Sequence, residues 1–212
     1  MSQRVVILGA GGHGRTVIET AQAAGLDVIG MLDARADRLG SEILGIPLLG
    51  SDDRLDIAAE GGATHYLLGV GHLGDTSIRR RLAAAADAAG LQPALAVHPT
   101  AFVSPSARLA PGTVVLPHAV VHTQAKLGEH VIVNTAAVVE HDGRLEAHVH
   151  VATAAAHAGD VRVGADTLIG ARAVVRQGIR IGAHCIIGAG AVVVRDVPDE
   201  TKVAGNPAKP LT

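Results

Sequence analysis

The chain has 212 residues, of which 48% are hydrophobic, 18% are charged and 1% are aromatic, and its formal net charge is −2. This composition is typical of a globular protein and argues against nucleic-acid binding, because it offers neither a basic excess for phosphates nor aromatic rings for base stacking. No apolar run reaches the roughly 18 residues of a membrane-spanning helix, and no charged-then-apolar leader follows Met1. We therefore expect a cytoplasmic protein without membrane insertion. The single cysteine excludes an internal disulfide.

Over residues 1–92, short apolar runs alternate with helical patterns, which predicts a small Rossmann-like α/β domain. Its expected elements are strands at 5–8, 28–32 and 66–70 and helices at 13–24, from about Ser51 onward and at 75–89. Residues 93–212 follow a different pattern and are assigned to a second domain.

A glycine cluster follows the first predicted strand. Gly9-Ala10-Gly11-Gly12-His13-Gly14 matches G-x-G-x-x-G before a helix, and Asp33 stands at the end of the second strand. This pattern places a pyrophosphate at a helix N-terminus and an acid on a ribose, as in a dinucleotide coenzyme or a sugar nucleotide. The first domain is small for a complete dinucleotide domain, which favours the sugar nucleotide. An NAD-binding or purely structural protein is the alternative from another class.

From Val97 onward an apolar residue recurs every six positions. The series is Val97, Val103, Leu109, Val115, Val121, Leu127, Val133, Val139, Leu145, Val151, Val163, Ile169, Val175, Ile181, Ile187 and Val193, with His157 in the one deviating slot. Four residues after most of these positions the side chain is small. This period fits neither an α-helix nor a flat strand. It predicts a parallel β-helix in which three six-residue units, here called hexads, complete one triangular coil. The recurring apolar residues then fill the interior of the coils, here called the prism.

His141 is the candidate general base, because an imidazole accepts protons near neutral pH and two carboxylates, Glu140 and Asp142, flank it. In the hexad register it lies two places after Val139, near the edge of a flat face. Gly159 is one coil further on in the same column. A glycine there leaves its N–H open to an oxyanion.

Other ionisable residues of the second half are interpreted as structural. His157 occupies an inward slot, where a core histidine satisfied by hydrogen bonds is favoured over a functional one. Cys185 occupies a small corner slot, so no acetyl-enzyme is expected. No metal is predicted, because no three histidines converge with metal-ligand spacing; those outside the prism are His118, His130, His148 and His184.

Two further segments stand beside the hexads and the glycine cluster: Asn134-Thr135-Ala136-Ala137-Val138-Val139-Glu140-His141-Asp142 and Val203-Ala204-Gly205-Asn206-Pro207-Ala208-Lys209. Over nearly its full length the chain resembles the hexapeptide-repeat nucleotide-sugar N-acetyltransferases. The resemblance implies an α/β domain followed by a left-handed parallel β-helix, assembled as a homotrimer with coenzyme A between subunits. It implies acetyl transfer from acetyl-CoA to the 4-amino group of a nucleotide-linked 4-amino-4,6-dideoxyhexose. GDP-perosamine is the leading acceptor, and a UDP-linked 4-amino sugar or sialic-acid-type O-acetylation are the alternatives.

The resemblance also implies roles for individual residues. His141 is the base, and Asp142, where the family usually has Glu, raises its basicity. The residues implied to contact acetyl-CoA are His150, Gly159, Ala171 and Ala189, with Lys209 either at a coenzyme A phosphate or solvated. The residues implied to line the acceptor pocket are Gly11, Gly12, His13, Asp33, Ala34 and Gly71.

Overall fold

The computed structural model describes residues 3–35 and 40–211. It divides into two compact units. The first unit is Met1–Gly71 with Ser77–Val97, and the second is His72–Thr76 with His98–Thr212.

The first unit is an α/β sandwich around a mainly parallel sheet. Its elements are β1 (Arg4–Leu8), α1 (Gly12–Ala23), β2 (Asp27–Leu32), β3 (Glu42–Ile43), β4 (Ile46–Gly50), α2 (Leu55–Glu60), β5 (His65–Leu68), α3 (Ser77–Ala88), β6 (Gln92–Pro93) and β7 (Ala96–Val97). The sheet has the order β3-β4-β2-β1-β5-β6, and only β3 is antiparallel to its neighbour. The apolar run of β1 is central and fully buried, because helices need an apolar face on each side of a parallel sheet.

Two predicted boundaries of this unit shift for local reasons. The second helix begins at Leu55 instead of near Ser51, because the Arg54 N–H donates to the Ser51 carbonyl (2.9 Å) and residues 51–54 form a turn. The third predicted strand ends at Leu68, because Gly69 packs directly against the Gly9 carbonyl. No described helix is long and apolar enough to cross a membrane.

The second unit is a parallel β-helix built from two-residue strands that recur every six residues between residues 102 and 193, and two less regularly spaced strands follow. They are β8 (Phe102–Val103), β9 (Arg108–Leu109), β10 (Val114–Val115), β11 (Val120–Val121), β12 (Lys126–Leu127), β13 (Ile132–Val133), β14 (Val138–Val139), β15 (Arg144–Leu145), β16 (His150–Val151), β17 (Ala156–His157), β18 (Arg162–Val163), β19 (Leu168–Ile169), β20 (Val174–Val175), β21 (Arg180–Ile181), β22 (Ile186–Ile187), β23 (Val192–Val193), β24 (Lys202–Ala204) and β25 (Lys209–Pro210).

The strands form three flat faces. The first face contains β10, β13, β16, β19, β22 and β24, the second face β8, β11, β14, β17, β20 and β23, and the third face β9, β12, β15, β18 and β21. From β8 to β23 the paired strands are parallel and 18 residues apart, as Val121 pairs with Val139, whereas β22 pairs with β24 at an offset of 16 residues. One coil therefore contains three hexads, as the sequence predicts.

The corners of the coil explain the spacing of small residues. Three positions after most inward residues the backbone has a positive φ, as at Ala136 (55°) and Asp142 (60°). The next side chain, as at Ala137, then turns into the prism and is fully buried. This side chain is small at most corners, although Val131, Val149, Val161 and Ile179 occupy the same place and are also buried. We call the corner between the first and second faces the first corner, and the corner between the second and third faces the second corner.

Candidate functional site

The glycine cluster forms one side of an open cavity of about 440 Å³ in the first unit. The cavity lies at the carboxyl ends of β1, β2 and β5, where parallel sheets bind ligands. It brings together all six residues predicted to line the acceptor pocket: Gly11, Gly12, His13, Asp33, Ala34 and Gly71. Their roles toward a substrate remain predictions.

The glycines serve two different purposes in this loop. A Cβ on Gly14 would overlap the Gly9 carbonyl, so Gly14 permits the close approach of α1 to the loop. A Cβ on Gly11 would meet nothing within 4 Å, so Gly11 leaves the backbone open to the cavity. Gly11 caps α1 without a side-chain hydrogen bond. The first N–H groups of the helix are therefore available to an anion.

Asp33 ties the end of β2 to the glycine loop. Its Oδ2 accepts the Ala10 N–H (2.6 Å), and its Oδ1 accepts both the backbone N–H (3.1 Å) and the Nε (2.8 Å) of Arg35. The Arg35 guanidinium and the Ala10 N–H lower the pKa of the Asp33 carboxyl to about 2, against the opposing effect of burial. Asp33 is therefore a fixed anion at neutral pH.

Three charged residues of the cavity were not predicted. Arg35 lies two residues after Asp33 and forms an ion pair with it. This short spacing from the acid is the one feature of the sequence that could have identified Arg35 as a cavity residue. Arg81 of α3 and Asp52 form an ion pair (3.2 Å) in the opposite wall. These two residues are far apart in the sequence, and only the packing of α3 brings them together.

His141 lies at the second corner, exposed to solvent. Its Nδ1 is 2.8 Å from Asp142 Oδ2, and its backbone N–H donates to Glu140 Oε2 (3.1 Å). A carboxylate can only accept, so Nδ1 carries the proton and Nε2 keeps its lone pair in the neutral ring. The hydrogen bond to Asp142 raises the pKa of the His141 imidazole above its usual value. This tautomer and this basicity are those of a general base.

Gly159 lies directly below the ring, as the 18-residue column predicts. A Cβ at this position would overlap Nε2 of His141. The Gly159 carbonyl accepts the Gly178 N–H (2.9 Å), whereas its own N–H has no hydrogen-bond acceptor within the described part of the chain. The corner therefore places a lone pair and an open N–H side by side.

His150 of β16 is buried on the first face, within a network that also fixes its tautomer. The Thr135 N–H donates to Asn134 Oδ1 (2.8 Å), so the Asn134 amide donates to His150 Nε2 (3.1 Å). Nδ1 of His150 then donates to the His72 carbonyl (3.2 Å). The sequence reasoning missed the contribution of His72, which is distant in the chain.

The other residues predicted to contact coenzyme A lie elsewhere on the β-helix. Ala171 and Ala189 share a column at the first corner, since they follow β19 and β22. Lys209 of β25 lines a small cavity of about 190 Å³ with Arg195 and Thr201. One chain therefore presents Gly159 at the second corner but Ala171 and Ala189 at the first corner.

Two buried groups stand apart from these sites. His157 is 1% exposed, and neither of its ring nitrogens has a hydrogen-bond partner among residues 3–35 and 40–211. Burial lowers the pKa of the His157 imidazole to about 4, so it is neutral. The predicted structural placement holds, but the expected hydrogen bonds are not formed. Cys185 is fully buried with its thiol 3.0 Å from the Pro198 carbonyl, and burial raises its pKa.

Within the described ranges, no three histidine, cysteine or acidic side chains are grouped so as to hold a metal ion.

Comparison with known proteins identifies the family. Residues 4–86 match the PglD N-terminal domain, and residues 160–195 match the bacterial transferase hexapeptide model of six repeats. PerB from Caulobacter crescentus, solved in complex with CoA and GDP-perosamine, is 40% identical, with 98% of this chain and 97% of that chain covered and a TM-score of 0.91. The chain belongs to the hexapeptide-repeat nucleotide-sugar N-acetyltransferases.

Two more solved members of this N-acetyltransferase family are similar. The acetyltransferase domain of PglB from Neisseria gonorrhoeae, in complex with acetyl coenzyme A, is 40% identical over 100% of both chains, with a TM-score of 0.91. A histidine-to-asparagine mutant of perosamine N-acetyltransferase from Caulobacter crescentus, with CoA and GDP-perosamine, is 39% identical over 98% of this chain and 96% of that chain, with a TM-score of 0.92. No curated protein matches the chain significantly. Membership confirms the predicted fold class, an α/β domain followed by a left-handed parallel β-helix, and the predicted enzyme class, an acetyltransferase.

Proposed function

We propose that this enzyme transfers acetyl from acetyl-CoA to the 4-amino group of a nucleotide-linked 4-amino-4,6-dideoxyhexose, with GDP-perosamine as the acceptor, in the cytoplasm. The observation that carries the proposal is the second corner, where the Nε2 lone pair of His141 lies above Gly159 and Nδ1–H is held by Asp142. The relatives solved with GDP-perosamine and CoA support the choice of both substrates.

The corner supplies what aminolysis of a thioester requires. The neutral 4-amino nitrogen of the sugar attacks the thioester carbonyl carbon, and His141 Nε2 takes one of the protons of that nitrogen. The new C–N bond creates an oxyanion, for which the Gly159 N–H is a donor. The C–S bond then breaks, and the protonated imidazole returns its proton to the thiolate. Asp142 stabilises the imidazolium in between. No acetyl-enzyme is needed, in keeping with the buried Cys185.

The cavity of the first unit suits the acceptor. The open N–H groups at the start of α1 can donate to the diphosphate, and the fixed carboxylate of Asp33 can accept a ribose hydroxyl with its remaining lone pairs. A UDP-linked 4-amino sugar would use the same groups. The nucleobase, guanine or uracil, therefore distinguishes the two acceptors.

The predicted donor site argues for a homotrimer with coenzyme A between subunits. His141 and Gly159 flank one edge of the second face, and Ala171 and Ala189 flank its other edge. Packing of three second faces around a threefold axis would bring the second corner of one subunit to the first corner of the next.

The outward column of the second face is apolar over all six coils: Phe102, Val120, Val138, Ala156, Val174 and Val192. Such a stripe is typical of a face that another protein surface covers.

The oligomer can be tested by placing a charge on this stripe. Val174 is 46% exposed, and we expect Val174→Asp to convert a trimer into monomers that have lost acetyl transfer. Leu44→Asp is the matched control, because Leu44 is 50% exposed on the first unit. Light scattering after size-exclusion chromatography measures the mass. A Val174→Asp protein that remains a fully active trimer would refute this interface.

The reaction itself is tested by thiol release from acetyl-CoA. GDP-perosamine, a UDP-linked 4-amino-4,6-dideoxyhexose and a sialic-acid-type hydroxyl acceptor are offered in parallel. We expect turnover with GDP-perosamine above all. Turnover with the UDP sugar alone would change the nucleotide, turnover with the hydroxyl acceptor alone would make the enzyme an O-acetyltransferase, and absence of all three would reject the proposal.

A further inference from the structure

A column of five basic residues runs along the third face of the β-helix. The first residue of every strand on this face is basic: Arg108, Lys126, Arg144, Arg162 and Arg180. Direct register pairs join each to the next. The chain carries a net charge of −2, so this concentration of cations does not follow from overall composition.

The arrangement is unfavourable for the isolated chain. Neighbouring strands lie about 4.8 Å apart, and like charges directly opposite each other destabilise a sheet. Arg162 has an ion pair with Asp160 at 3.6 Å. The other four basic residues form no ion pair within the part of the chain that the structure describes. A repeated cost of this kind is typical of a site that binds a ligand.

Three of the arginines surround a shallow cavity of about 280 Å³. Its lining residues are Arg144, Glu146, Arg162, Val163, Gly164, Arg180 and Ile181. Gly164 stands two places after Arg162 and contributes no side chain to the lining. Glu146 is the single carboxylate of the lining, and the cavity keeps a net positive charge.

We propose that this cavity binds the diphosphate group of an organic ligand. The three arginines stand on neighbouring strands about 4.8 Å apart, so they leave two neighbouring gaps along the column, and each gap suits one phosphate group. Arginine holds phosphate oxygens by paired, charge-assisted hydrogen bonds. Two linked phosphates along the coil axis thus match the column better than a single phosphate. The diphosphate can come from a nucleoside diphosphate or from coenzyme A, and the second source rests on the proposed function.

Binding of inorganic pyrophosphate at low ionic strength tests the site directly. We expect wild type to bind it, and the exposed double substitution Arg162→Gln/Arg180→Gln to weaken that binding by at least about tenfold. Arg172→Gln removes the same charge from an exposed position at the first corner and should leave the affinity unchanged. Equal binding by wild type and the double variant, or an equal loss in Arg172→Gln, would overturn the proposal.

Competition then separates the two sources. Pyrophosphate can also bind at the start of α1, so the competition follows only the binding that wild type shows and the Arg162→Gln/Arg180→Gln variant lacks. Displacement of that part by GDP assigns a nucleoside diphosphate, and its displacement by CoA assigns coenzyme A; displacement by neither overturns an organic diphosphate site. The repulsion itself predicts that the double variant melts at a higher temperature than wild type in low salt, and a lower melting temperature would contradict it. None of these measurements depends on acetyl transfer, so they stand or fall separately from the proposed reaction.

Discussion

Two histidines on neighbouring coils of the β-helix, His141 and His157, have opposite properties. His157 occupies the inward place of its hexad, paired with Val139, and burial lowers its pKa to about 4. His141 stands two places after that same Val139, outside the prism, and the hydrogen bond to Asp142 raises its pKa. The difference teaches that the place in the hexad decides whether an imidazole can act as a base.

The largest effect is expected at His141 itself. His141→Asn removes the proton acceptor while preserving a polar side chain, and acetyl transfer should fall by about 10²–10⁴-fold. Thiol release measures the rate, and the melting temperature should not change because the side chain is exposed. Retention of more than a tenth of the activity would remove His141 from the mechanism.

The second effect concerns the glycine below the ring. In Gly159→Ala the added methyl group would overlap Nε2 of His141 and displace the imidazole. A displacement of about 1 Å can cost on the order of 10²-fold in rate. Gly178→Ala, 19 residues further on, adds its methyl group to open space at a corner place with positive φ that Ala136 and Ala154 also occupy, and it controls for loss of a corner glycine as such. Comparable kinetics of the two variants would argue against the contact.

The third effect is on stability and involves His157. His157→Val replaces two unpartnered ring nitrogens in the prism and should stabilise the protein by about 1–3 kcal/mol at pH 7. Because the folded-state pKa is lowered from 6.5 to about 4, the unfolded chain takes up the proton first, and wild type loses stability as pH falls through this window. At pH 5 the advantage of the variant should grow by about 2 kcal/mol.

Urea denaturation at pH 7 and pH 5 measures this difference. His122→Val replaces an exposed imidazole on the same face and should show neither gain. An unchanged gap between wild type and His157→Val at the two pH values would show that His157 does not titrate as described.

The smallest effect separates basicity from geometry at the corner. Asp142→Asn removes the anion that raises the pKa of His141, so the acid limb of the rate profile should move to lower pH. The plateau rate should fall by about tenfold, because the base is weaker and its tautomer is less well held. A pH series of kcat measures both changes. A limb that stays in place would show that Asp142 does not set the pKa of His141.

Particular residues show how far sequence reasoning reached. The hexad register predicted every two-residue strand from Val97 to Val193, the corner position of His141 and its alignment with Gly159. It could not predict that His157 lacks hydrogen bonds, because this depends on which side chains of adjacent coils meet it. The glycine motif predicted the cavity around Asp33, whereas Arg81 and Asp52 entered it only through the packing of α3.

The sequence by itself determined the repeat, the two-domain plan and the chemical character of the corner, because these follow from spacing along the chain. The structure decided the tautomer of His141, because it depends on the geometry of the hydrogen bond to Asp142. It also decided the network around His150, because this network joins residues that are far apart in sequence.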